Sequence, residues 1–177
     1  PFVDQPVTAD PDGSAQVRWR TKVYKALYGP RAPVYGDHVE LTASRWHDAR
    51  QLTFGSDFAS AIGVGAVPGT RFVWPPQRAL ADVSLPPARE RHFAKWLEIY
   101  RTLRLAEGEF RNLYTHGYDW PEGYAIEQGG ALYYAFFAPD KAPHFDGTVE
   151  LRGLVGGRRY AIFDYERGES LGAVTGP

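Results

Sequence analysis

The sequence predicts an α/β segment over residues 1–108 followed by an all-β segment over residues 109–177. Two observations carry that division. Up to Gly108 the apolar residues of the longer runs recur at spacings of three and four, with short extended stretches between them. From Glu109 the period becomes two, in short runs separated by glycine-rich turns. Helices alternating with strands point to βα units and a parallel sheet. Only about two strands of such a sheet are visible, too few to bury both its faces, so its other strands are expected upstream of Pro1.

Taken in order, residues 1–13 read as a loop rich in Pro, Asp and Gly. A helix follows over Ser14–Tyr28, with Trp19, Val23, Ala26 and Leu27 on one face and Arg18, Lys22 and Lys25 on another. Gly29-Pro30 stops it. A short strand over 32–35 runs into the polar cluster Asp37, His38 and Glu40. Residues 42–70 are loop-rich, with room for a short helix over 57–62 capped by Ser56 or Asp57. "TRFVWPP" (70–76) is a strand halted by two prolines.

The clearest helix starts near Leu85, with Pro86-Pro87 in its first turn and Asp82 or Ser84 as cap. Its buried face is Phe93, Trp96, Leu97, Tyr100 and Leu103, and Gly108 ends it. Beyond it, "YAIEQ", "ALYYAFFAP", "GTVELRG", "RYAIFDY" and "SLGAVTG" are strands of a small antiparallel sandwich.

The composition narrows the chemistry. A net charge of −1 leaves no electrostatic footprint for nucleic acid or an anionic membrane. Aromatic residues make up 15% of the chain without a basic surplus, which favours apolar contacts and hydroxyl-rich ligands such as sugars over phosphate backbones. Most of those rings nevertheless fill a core. The absence of cysteine excludes disulfides and thiolate metal sites. No apolar run approaches the roughly 20 residues of a membrane helix, and no signal-peptide pattern is present. A chain that begins with Pro1 and contains no methionine is expected to be processed or a piece of something longer.

Three acidic spots are candidates for function. Asp12, Ser14 and Asp57 precede helices, where such residues cap free N–H groups. Asp10 lies too early to be the obvious cap, which leaves it open to a functional role. Asp37 and His38 sit where a strand meets its loop, the place where βα barrels put binding and catalytic groups; a rim that merely orders the loop is the other possibility. The five histidines have no HxxxH or HExxH spacing, so no metal is expected. The glycine-rich "GVGAVPG" (63–69) lacks a following Lys-Ser/Thr, no dinucleotide fingerprint occurs, and no cofactor is expected.

Four stretches in order resemble bacterial α-galactosidases of the melibiase type. They are "QPVTADPDGSAQVRWRTKVYKALYGPRAPVYGDHVEL", "DFASAIGVGAVPGTRFVWP", "EGEFRNLYTHGYDWPEGYAI" and "LYYAFFAP…FDGTVELRGLVGGRRYAIFDYERGESLGAVTGP". The resemblance implies a (β/α)8 TIM barrel followed by an antiparallel β-domain. Residues 1–108 would hold the last barrel strands and helices, and residues 109–177 the β-domain without its last strand. It also implies retaining hydrolysis of α-galactosides, one carboxylate attacking the anomeric carbon and another serving as acid and then base.

In the family the nucleophilic Asp lies on a barrel strand upstream of this segment. The acid/base Asp lies in an Asp-rich loop before a basic helix, which maps to Asp10 in "TADPDGSAQVR", with Asp12 the second choice because Pro11 intervenes. His38 fits the family's Gly-x-His-Val segment, while Asp37 departs from it and sets an extra acid beside the sugar subsite. Asp37 and His38 are thereby expected to bind substrate. The partners implied are a carbohydrate substrate and the remainder of the barrel, in the same parent chain or another fragment, in a soluble protein of the bacterial cytoplasm. Two other possibilities stay open: a different α-glycoside specificity on the same scaffold, and a non-catalytic carbohydrate-binding module built on the β-tail.

Overall fold

The structure is a computed structural model that describes residues 5–8, 13–40, 57–71, 87–115, 121–138 and 145–177. Its elements run in the order α1 (Ser14–Tyr28), β1 (Tyr35–Glu40), α2 (Phe58–Gly63), β2 (Val67–Arg71) and α3 (Pro87–Leu103), followed by a 3-10 turn (Leu105–Glu107). Then come β3 (Glu109–Arg111), β4 (Glu122–Gln128), β5 (Ala131–Phe137), β6 (Arg159–Asp164) and β7 (Glu169–Thr175). The chain divides into two compact units, Pro1–Arg111 with Tyr124–Ala135, and Asn112–Gly123 with Phe136–Pro177.

In the first unit β1 pairs with β2 in parallel, and Val7 bridges Tyr35 in parallel on the other side of β1. Residues 6–8, expected as loop, therefore form a third parallel segment with β1 in the middle. Both Val7 and Thr8 are β-branched and suit that ladder. The described parallel segments close no barrel. The core beneath them is built from Val17, Val34, Ile62, Val64, Leu105 and Ile126, each almost wholly buried.

Helix α1 has the expected bounds and the opposite orientation. Val17, Arg18, Thr21 and Lys25 are buried, whereas Trp19, Val23 and Leu27 are exposed, Leu27 by 71%. The inversion has a steric cause. α1 packs on β1 and α2, whose facing residues are Gly36, Ser60 and Ala61, too short to fill the gap by themselves. Long polar chains occupy this face: Arg18 Nη1 reaches across to donate to Ser60 Oγ at 2.8 Å, and Lys25 Nζ donates to Ala32 O in the connection that follows α1 at 3.0 Å.

Strand β1 begins where the sequence expectation ended it and carries Asp37, His38 and Glu40 inside the strand. Asp57 caps α2 as expected, its Oδ1 accepting from Ser60 N at 2.6 Å. α1 has no side-chain cap, and Ser14 Oγ instead accepts from Asp57 N at 3.2 Å. Asp12, Ser56, Asp82 and Ser84 lie outside the described residues. In α3, Trp96 and Ile99 are buried and Phe93, Leu97, Tyr100 and Leu103 half-buried.

The tail is antiparallel, as two small sheets in the orders β3-β4-β5 and β6-β7. "GTVELRG" forms no strand. Its backbone is engaged elsewhere: the Tyr114 hydroxyl donates to Glu150 O at 2.7 Å and accepts from Arg152 N at 3.2 Å. No described helix is long and apolar enough to cross a membrane.

Candidate functional site

Tyr35 ties the three parallel segments together. Its N–H donates to Pro6 O at 2.8 Å, and its carbonyl accepts from Thr8 N at 3.0 Å. On the opposite side of β1, Val67 N donates to Val34 O at 2.8 Å. The segment 6–8, two residues short of Asp10 in sequence, thus lies directly beside the start of β1. Asp10 and Asp12 themselves lie outside the described residues. In parallel α/β sheets ligands bind at the carboxyl ends of adjacent strands, and β1 carries its polar residues toward that end.

The ladder of β1 is irregular between Tyr35 and His38. Asp37 sits inside that irregularity at φ 62°, a left-handed conformation shared by only one other non-glycine among the described residues, Arg104. Asp tolerates this region better than most side chains, and such strain concentrates at binding sites. The irregularity aims a short carboxylate back at its own strand. Asp37 Oδ1 accepts from His38 N at 2.7 Å and lies 2.7 Å from His38 Nδ1. With the proton on Nδ1, this contact sets the imidazole tautomer and makes Nε2 an acceptor.

The dyad is largely enclosed, the side chains of Asp37 and His38 being 11% and 23% exposed. Beside it, burial first and the Asp37 charge second push the Tyr35 phenol above its ordinary pKa. The Tyr35 ring stands over Gly69 of β2, where a Cβ would overlap the ring. On the helix side, Gly36 lets β1 approach α2: a Cβ there would lie 3.0 Å from Ala66 Cβ and 3.2 Å from Ala61 Cβ.

Behind the strand runs a polar chain that orders the helix ends. Arg18 donates to Ser60 Oγ, Ser60 Oγ donates to Asp57 Oδ2 at 3.1 Å, and Asp57 N donates to Ser14 Oγ. The chain therefore fixes α1 against the N-terminus of α2. Sequence reasoning passed over Tyr35 and the segment at 6–8; the paired β-branched residues Val7 and Thr8 just before Asp10 are the signal for the latter. No group of three or more His, Cys, Asp or Glu that could hold a metal occurs among the described residues. What the arrangement offers is a carboxylate–imidazole pair able to accept and donate hydrogen bonds at the irregular middle of β1.

No protein-family model matches the chain. It is similar to A type blood alpha-D-galactosamine galactosaminidase of Flavonifractor plautii, at 33% identity over 168 residues. That alignment covers 93% of this chain and 13% of the galactosaminidase, so the chain spans a small part of its relative's length. A galactosaminidase is a glycosidase. The likeness supports the class of chemistry that the melibiase-type motifs imply, and it parts from them on the sugar.

Proposed function

We propose that this chain is a segment of a retaining glycoside hydrolase that cleaves a terminal α-linked sugar of the galactose series by double displacement. It would supply the last strands and helices of a (β/α)8 barrel and the antiparallel domain after it. The observation that carries the proposal is the likeness to a galactosaminidase along 93% of the chain. The parallel bridge between Val7, in the segment before Asp10, and Tyr35 of the strand bearing Asp37 and His38 supports it. From the relative's name, an α-galactosaminide is the first substrate to try.

In this scheme Asp10 protonates the leaving oxygen and then activates water, while an upstream Asp attacks the anomeric carbon at a carboxylate separation of about 5–5.5 Å. The ionised nucleophile raises the pKa of Asp10 by like-charge repulsion, and glycosylation removes that repulsion when Asp10 must turn base. Asp37 and His38 contact the sugar.

The test is a panel of nitrophenyl α-glycosides given to the enzyme that carries this segment. Asp10→Ala should depress turnover most on poor leaving groups, with partial rescue by azide. Near wild-type activity of Asp10→Ala beside a dead Asp37→Ala would overturn the assignment. If the nucleophile belongs to another barrel strand, as the resemblance implies, the 177-residue chain by itself should release no nitrophenol.

A further inference from the structure

Resting on the glycosidase function proposed above, we infer that Asp37 selects a cationic amino sugar, its carboxylate receiving the ammonium group of a hexosamine. Three observations on Asp37 point there. It is an enclosed carboxylate, its side chain 11% exposed, and among the described residues its one ion-pair partner is the neighbouring His38. No lysine or arginine among them pairs with it. A buried carboxylate with no lysine or arginine beside it gains most from a cation that arrives with the ligand.

Oδ1 alone makes both protein contacts, to His38 N and His38 Nδ1, and Oδ2 carries no hydrogen bond among the described residues. The carboxylate is thus fixed by one oxygen and presents the other. Its backbone is held at φ 62° in the irregular part of β1, one strand away from the segment that leads to Asp10.

The chemistry of the pair then decides between sugars. A carboxylate can only accept; a hydroxyl gives it a hydrogen bond, whereas an ammonium adds an opposite full charge to that bond in an enclosed site. An N-acetyl group offers one N–H and sets a carbonyl oxygen near the same negative charge. The order of preference is amine, then hydroxyl, then acetamide.

The experiment compares kcat/KM of the enzyme carrying this segment on nitrophenyl α-galactosaminide, α-galactoside and N-acetyl-α-galactosaminide. Wild type should prefer the free amine, and in Asp37→Asn the amine-to-hydroxyl ratio should fall by about 10- to 100-fold. Asn keeps an acceptor for His38 N and tolerates the left-handed backbone, so charge is the main change. Asp37→Gly, which takes that φ without strain, reads the same ratio if the Asn variant misfolds.

An unchanged ratio, with all substrates losing equally, would mean that Asp37 only positions His38 and would overturn the inference. So would a wild type that hydrolyses the galactoside and neither amino sugar. A wild type that hydrolyses none of the three sinks the glycosidase proposal itself.

Discussion

Asp37 Oδ1 accepts the backbone N–H of its own neighbour, His38, at 2.7 Å and lies at the same distance from that residue's Nδ1. One oxygen thereby closes a tight local loop around a backbone at φ 62°. The loop stabilises a conformation that β1 would otherwise abandon, and it holds the two side chains in register with each other. Asp37→Ala loses the acceptor and puts a less tolerant side chain in the left-handed region, at a cost of about 1–3 kcal/mol. Asp37→Asn should stay within about 0.5 kcal/mol of wild type. Urea unfolding of the two variants separates them, and equal losses would show that the local hydrogen bonds contribute nothing.

Tyr35 and Gly69 form the second dependency of the site. Because the ring lies where a Cβ of residue 69 would go, Gly69→Ala must move either Tyr35 or β2. Overpacking of that kind costs about 1–3 kcal/mol. Tyr35→Ala should absorb much of it, so the double variant should be more stable than the sum of the single losses, with a coupling of about 1 kcal/mol or more. Strict additivity would mean that the ring moves freely away from β2.

The bounds of α1 and the existence of two faces were legible in periodicity, yet the face that turns inward was not. Trp19, Val23 and Leu27 have the spacing of a core stripe and are exposed, while Arg18 and Lys25 are buried. A helix pattern reports that faces differ, and the depth of the opposing surface decides which one fits. Here that surface is made of Gly36, Ser60 and Ala61, and no residue of α1 announces it. "TVELR" misled for a related reason, since alternation is satisfied by any extended segment, whereas a strand needs a partner ladder. Tyr114 holds those backbone groups instead. Around Asp37 and His38 a strand and a polar cluster were legible from residue type. The strand runs through the cluster to Glu40 rather than ending before it, and the left-handed kink was not legible, because Asp announces no φ.

Tyr114 should matter to its own unit through its hydroxyl. The side chain is buried, its ring meets Phe136 edge-on at 5.6 Å, and the Arg152 guanidinium lies 5.1 Å over it. Tyr114→Phe keeps those ring contacts and removes the bonds to Glu150 O and Arg152 N. The expected loss is about 1–2 kcal/mol, with amide exchange at Arg152 accelerating more than at the β6–β7 ladder. Unaltered exchange at Arg152 would assign the order of residues 150–152 to something other than the hydroxyl.

Lys25 gives a prediction with a definite pH window. The side chain is 1% exposed, its Nζ donates to Ala32 O at 3.0 Å, and burial lowers its pKa from 10.5 to about 8. Below about pH 8 the amine is charged in both states and the folded state bears the whole desolvation cost. Between about pH 8 and 10.5 the unfolded chain binds more protons than the folded one, so this residue's contribution to stability rises with pH. The full difference is roughly 3 kcal/mol. Lys25→Met fills the same space without a charge, and at pH 7 it should stabilise the protein by about 1–3 kcal/mol even after losing the bond to Ala32 O. The gain should shrink through the window and vanish near pH 10.5, and comparing the two proteins cancels every tyrosine that titrates there. Urea denaturation of both between pH 7 and 10.5 measures it; a stability difference that stays flat over that range would show that the Lys25 amine is not desolvated in the folded protein.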